Sequence, residues 1–174
     1  MQRIQREVPG PGQESVWDYP RPPRAEVDHR RVVVTHAGTV VVDTDDVVRV
    51  LETSHPPTVY LPRTAFTEGV LSPAERRTLC EFKGVARYVD VVVPGVPALR
   101  DVGWWYPPGQ EGAWAADGAT YPELVDRVAL YPAHFDEITF GGERVVPQPG
   151  GFYGGWITSD VVGPFKGGPG SRSW

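Results

Sequence analysis

Residues 78–95 read Thr78-Leu79-Cys80-Glu81-Phe82-Lys83-Gly84-Val85-Ala86-Arg87-Tyr88-Val89-Asp90-Val91-Val92-Val93-Pro94-Gly95. Two strands, Thr78–Lys83 and Val85–Val93, separated or bent at Gly84, account for this run, because β-branched side chains fit a pleated surface. Pro94-Gly95 is a turn signal, and a third strand is expected over Arg100–Tyr106. The same signature extends across the chain. Its 20 glycines and 19 prolines in 174 residues exceed average usage, interrupt long helices and favour short strands joined by turns. The expected class is mainly β.

Working outward, Arg31–Thr35 and Thr39–Val42 form a predicted hairpin turning at His36-Ala37-Gly38. Asp43-Thr44-Asp45-Asp46 suits the cap of a short helix reaching about Leu51. Thr58–Leu61 is a short strand closed by Pro62. Ser72-Pro73-Ala74-Glu75 and Thr120-Tyr121-Pro122-Glu123 are capping-box patterns, each predicting a helical turn, the second running to about Arg127. Phe135–Phe140 and Glu143–Val146 flank Gly141-Gly142, a two-residue hairpin turn. The expected organisation is an extended N-terminal arm over 1–30, a core domain over 31–147 and a glycine- and aromatic-rich tail over 148–174. Trp17 and Tyr19 in the arm, and Phe152, Tyr153, Trp156, Phe165 and Trp174 in the tail, predict that both segments pack on the core.

Composition narrows the function classes. A net charge of -5 argues against a nucleic-acid-binding surface, which needs a basic face. No run of about 18 apolar residues suggests a membrane span, and the polar Met1–Ser15 does not read as a signal peptide. Cys80 is the single cysteine, which excludes an intrachain disulfide and a cysteine-based zinc site and fits a reducing cytoplasm. Four scattered histidines give no metal-ligand spacing, and no motif requires a cofactor.

Three segments carry candidate chemistry. In Cys80-Glu81-Phe82-Lys83-Gly84, strand alternation would set Glu81 and Lys83 on one face and Cys80 and Phe82 on the other. A carboxylate and an amine so placed can grip a polar ligand or move a proton, or merely form a surface ion pair. Glu52-Thr53-Ser54-His55-Pro56-Pro57 gathers a carboxylate, two hydroxyls and an imidazole in a stiff loop, although Ser and Thr also satisfy local backbone. Trp104-Trp105-Tyr106 offers an aromatic wall or plain core packing. Asp43 and Asp45 fit a cap better than a magnesium site, and Gly150–Gly155 lacks the Lys-Ser or Lys-Thr of a phosphate loop.

These segments together resemble a bacterial family catalogued as domain of unknown function 427, which also carries a nucleotidyltransferase-type label. The resemblance rests on Glu52–Pro57, Tyr60-Leu61-Pro62-Arg63, Cys80–Gly84 with Ala86 and Tyr88, and Trp104 with Tyr106-Pro107. Gln148–Trp156 is similar to longer, actinobacterial-looking members. The resemblance implies a β-tent (Mss4-like) fold of antiparallel sheets with short helical turns. Mss4-like domains hold zinc on paired cysteines, which this chain lacks, so no metal is carried over. The family's Cys-x-x-Lys-Gly and following Tyr fall on Cys80, Lys83, Gly84 and Tyr88; Phe82 stands for the usual Trp or Tyr, and Glu81 for a frequent proline.

Two functional expectations follow. The first is a cleft for a small polar metabolite, lined by Glu52, His55, Tyr60, Cys80, Glu81, Lys83, Arg87, Tyr88, Trp104 and Tyr106. An enzyme built there would use Glu52 or His55 as base and Lys83 as electrostatic clamp. The second is a non-catalytic interaction or homodimerisation module presenting Trp17, Tyr19, Phe152 and Trp156. Thiol redox chemistry at Cys80 is a third and weaker idea, because no resolving cysteine is present.

Overall fold

The computed structural model describes residues 4–108, 121–171 and 173–174. Among these residues fifteen strands follow one another: β1 (Glu14–Ser15), β2 (Arg24–Asp28), β3 (Val32–His36), β4 (Thr39–Thr44), β5 (Val47–Leu51), β6 (Thr58–Pro62), β7 (Leu71–Cys80) and β8 (Gly84–Val91). Then come β9 (Leu99–Trp105), β10 (Arg127–Leu130), β11 (Glu137–Phe140), β12 (Glu143–Arg144), β13 (Val146–Pro147), β14 (Trp156–Ile157) and β15 (Val161–Val162). Helical structure among the described residues is confined to single 3-10 turns at Arg63–Ala65, Pro122–Leu124 and Pro132–His134. The protein is therefore mainly β.

A seven-stranded antiparallel sheet runs β2-β5-β6-β10-β9-β8-β7, and a four-stranded one runs β12-β11-β3-β4. Because strand side chains alternate, the large sheet has two different faces. Val47, Val59, Leu61, Val89, Val91, Val128 and Leu130 belong to the main core, together with Val32, Val34, Ile138, Phe140 and Trp156. Val48, Val50, Tyr60, Ala86, Tyr88, Trp104 and Ala129 form a second, more aromatic cluster, drawn from the alternate positions of the same strands. The adjacent tryptophans are split by this alternation: Trp104 joins the second cluster and Trp105 packs against the first.

Arm and tail are joined to each other and to the sheets. β1 pairs in parallel with β15, β13 pairs antiparallel with β14, and Val16 is fully buried. Residues 24–28, placed with the arm by the sequence, form the β2 edge of the large sheet against β5.

Both predicted hairpins are present. Ala37 and Gly38 (φ 48° and 73°) link β3 to β4, and Gly141 and Gly142 (φ 61° and 81°) link β11 to β12. Positive φ at both central residues matches the right-handed twist of the strands. Three helix expectations are corrected. Residues 47–51 are the fully buried strand β5, and Thr44 Oγ1 accepts the Asp46 amide at 3.1 Å in a turn between strands rather than at a helix start. Ser72–Glu75 lies within β7, an edge strand that tolerates Pro73 beside a bulge between Pro73 and Arg77. Pro122 opens only one 3-10 turn without a side-chain cap, and Thr120 lies outside the described residues. The strand expected over 78–83 also shifts: it begins at Leu71 and ends at Cys80, leaving Glu81–Lys83 as the turn into β8.

Candidate functional site

Among the described residues no second sheet seals the aromatic face of the large sheet. It opens into a cleft of about 300 Å³ whose floor is Tyr60 from β6, Tyr88 from β8 and Trp104 from β9, with Tyr106 and Tyr131 beside them. Arg76, Thr78 and Cys80 reach it from alternate positions of β7, and Glu81, Phe82 and Lys83 from the following turn. Glu52 and His55 come from the loop after β5, Arg21 from the arm, and Tyr153, Gly154 and Lys166 from the tail.

The floor is a hydroxyl network. Trp104 Nε1 donates to Tyr60 Oη at 3.2 Å; the Tyr88 and Tyr131 hydroxyls are 3.3 Å apart, and Thr78 Oγ1 is 3.2 Å from Tyr88 Oη. Burial raises the pKa of Tyr60, Tyr106 and Tyr131. These phenols consequently stay protonated.

His55 stands at the wall, buried and edge-on to Tyr153 with ring centroids 4.7 Å apart. Its Nδ1 lies 3.0 Å from the Thr53 carbonyl, which can only accept, so Nδ1 carries the proton and Nε2 keeps its lone pair. Burial holds its pKa below 6.5, against an opposing pull from Glu52. Burial thus favours the neutral imidazole, and the hydrogen bond to Thr53 fixes its tautomer.

The rim is charged. Arg21 pairs with Glu81 at 2.7 Å and approaches Glu52 at 3.8 Å. The Arg76 guanidinium lies 4.5 Å from the Tyr88 ring centroid, Lys83 Nζ 5.9 Å from that of Tyr106, and Lys166 Nζ 5.9 Å from that of Tyr153. Lys166 Nζ also donates to the Trp174 carbonyl at 2.7 Å. The tail is held close by Gln148, which accepts from the Gly155 amide and donates to the Lys166 carbonyl. Gly154 has to be glycine, because a Cβ there would overlap the Trp104 indole.

Nine of the ten residues expected to line a cleft do so: Glu52, His55, Tyr60, Cys80, Glu81, Lys83, Tyr88, Trp104 and Tyr106. Arg87 does not. It neighbours Tyr88 on β8, so alternation turns it to the other face, where it is exposed. Glu81 and Lys83 arrive from a turn rather than from one strand face. The sequence reading missed Arg21, Arg76, Thr78, Tyr131, Tyr153 and Lys166. One signal was available for Lys166: the chain has two lysines against fifteen arginines, and both lysines line this cleft.

A mainly-β protein with an open, aromatic-floored and cation-rimmed cleft on one sheet face is the class that fold and site define. The chain belongs to the family described as a domain of unknown function, DUF427, which matches residues 24–140. The Gln148–Trp156 segment, used above for the resemblance, lies beyond the matched span, as do the tail residues of the cleft. No curated protein matches the chain. No helix among the described residues is long and apolar enough to cross a membrane, and none of their His, Cys, Asp and Glu side chains cluster in threes suited to a metal ion.

Proposed function

We propose that the protein binds a small polar metabolite in this cleft. The observation that carries the proposal is convergence: side chains from the arm, the β5–β6 loop, the β7–β8 hairpin, β9 and the tail meet around one concavity. A cleft with apolar walls and a few placed polar groups is the usual form of a small-molecule site. Chemistry on the bound molecule would use His55 Nε2 or Glu52 as proton acceptor, with Lys83 as the electrostatic clamp. The interaction-module alternative has less support. Tyr19 and Trp156 are buried, and Trp17 donates Nε1 to the Pro164 carbonyl and packs against Trp174, leaving Phe152 as the exposed member.

A thermal-shift screen against nucleotides, metabolites and divalent ions tests the proposal. A compound at about 100 times its Kd adds roughly 2.7 kcal/mol of stability, which is readily detected. The expected result is a selective hit that disappears in Thr78→Trp, where a bulky side chain on the cleft wall obstructs the cavity. A panel without any hit, or a hit indifferent to that obstruction, would remove the cleft as the binding site.

A further inference from the structure

Resting on the cleft being the ligand site, we infer that its ligand is a small planar molecule bearing at least one anionic group, held by Lys83, Lys166 and Arg76. The chain carries a net charge of -5, yet its only two lysines, 83 residues apart in sequence, line the same cavity. Among the described residues four cations line that cavity, Arg21, Arg76, Lys83 and Lys166, against the carboxylates Glu52 and Glu81. Both carboxylates lie within ion-pair range of Arg21. Among the described residues, Arg76 and Lys83 have no carboxylate partner, whereas Lys166 Nζ donates to a main-chain oxygen of Trp174. Arg76 and Lys83 rest instead on the faces of Tyr88 and Tyr106, contacts that keep two cations beside the cavity without neutralising them, and Lys166 lies over Tyr153 at the same cavity.

A cleft with excess positive charge, bounded by protein rather than water, attracts anions more strongly than an open surface does. The hydroxyls of the floor donate to oxygen acceptors, which carboxylates and phosphates both supply. The aromatic walls favour a planar body over a flexible aliphatic one. Carboxylate and phosphate monoester share this chemistry, and the test below separates them.

Phenyl phosphate, benzoate and uncharged benzyl alcohol are titrated into the intact chain at low ionic strength, following backbone amide shifts at Thr78, Lys83 and Gly154. We expect one or both anions to bind, benzyl alcohol to bind at least about tenfold more weakly, and added salt to weaken the anions. The tighter anion identifies the head group. Lys83→Gln, in the turn between β7 and β8, is expected to weaken anion binding about tenfold, whereas Arg87→Gln on the opposite face leaves it unchanged. Equal binding of benzyl alcohol and benzoate in the cleft overturns the anionic assignment while leaving the cleft as a ligand site. An equal loss in Arg87→Gln and Lys83→Gln also overturns it, because general surface charge then explains the attraction. If neither anion shifts these amides at millimolar concentration, the assignment fails whatever the wider compound screen finds.

Discussion

His55 is a side chain whose protonation is decided by its surroundings. It is buried, its Nδ1 proton is committed to the Thr53 carbonyl, and its pKa lies below 6.5. An unfolded chain restores the ordinary value. Between the native pKa and about 6.5 the unfolded state binds more protons, so the contribution of His55 is complete above that window and is lost as pH falls through it. The wild type should therefore lose stability relative to His55→Gln on acidification below pH about 6.5, as read from urea midpoints. A ring titration above 6.5 in NMR would contradict the assignment. At this scale much of the candidate site was legible, because rare residue types with obvious chemistry sit in short motifs. Arg87 was misplaced because neighbours on a strand cannot both face one cleft. Tyr131, Tyr153 and Lys166 were missed because their proximity to Cys80 comes from the path of the chain, which no local pattern records.

Among the elements, β5 shows what local pattern leaves out. Asp43–Asp46 carries the chemistry of a helix cap, but a cap says nothing of what the next five residues pack against. Val47-Val48-Arg49-Val50-Leu51 are all buried, in a strand between β2 and β6. A run that must be covered on both faces favours β-branched residues. The one charge in it is compensated. Arg49 lies 3.2 Å from Glu14, 2.9 Å from Glu26 and 3.1 Å from Asp28, although its Nε lacks hydrogen-bond alignment toward Asp28. It thereby connects β5 to β1 and to both acidic positions of β2. Removing one partner from a buried charge cluster leaves the others uncompensated. Arg49→Leu should cost about 2 to 3 kcal/mol in urea denaturation, less than a fully buried pair, because Glu14 and Glu26 keep solvent contact. Arg31→Leu, which removes an exposed surface pair with Asp43, should leave the urea midpoint nearly unchanged. Similar losses in the two variants would mean that Arg49 does not tie these strands together.

For the whole molecule, the question is whether the tail belongs to the same folding unit as the span that defines the family. The valine-rich runs announced a mainly-β chain, but they did not announce that its main core is completed by residue 156. Trp156 is 1% exposed, donates Nε1 to the Leu130 carbonyl at 3.1 Å and meets Phe140 edge-on at 6.2 Å. It sits in the cluster that also contains Val32, Val89 and Val128, so the tail fills space between elements separated by up to about a hundred residues. A core tryptophan cut to alanine loses its transfer energy and leaves a cavity, together about 3 to 5 kcal/mol. Against a total stability of about 5 to 15 kcal/mol, that is a large fraction. Phe152, four residues earlier and 71% exposed, supplies the contrast: Phe152→Ala should stay within about 0.5 kcal/mol. Chemical denaturation of the two variants reads the difference directly. A single cooperative transition shifted strongly by Trp156→Ala and hardly at all by Phe152→Ala makes the tail part of one folding unit. A small, equal shift in both would mean that residues 24–140 hold their core without it. The tail's cleft residues, Tyr153 and Lys166, would then belong to an appendage rather than to a wall fixed by the fold.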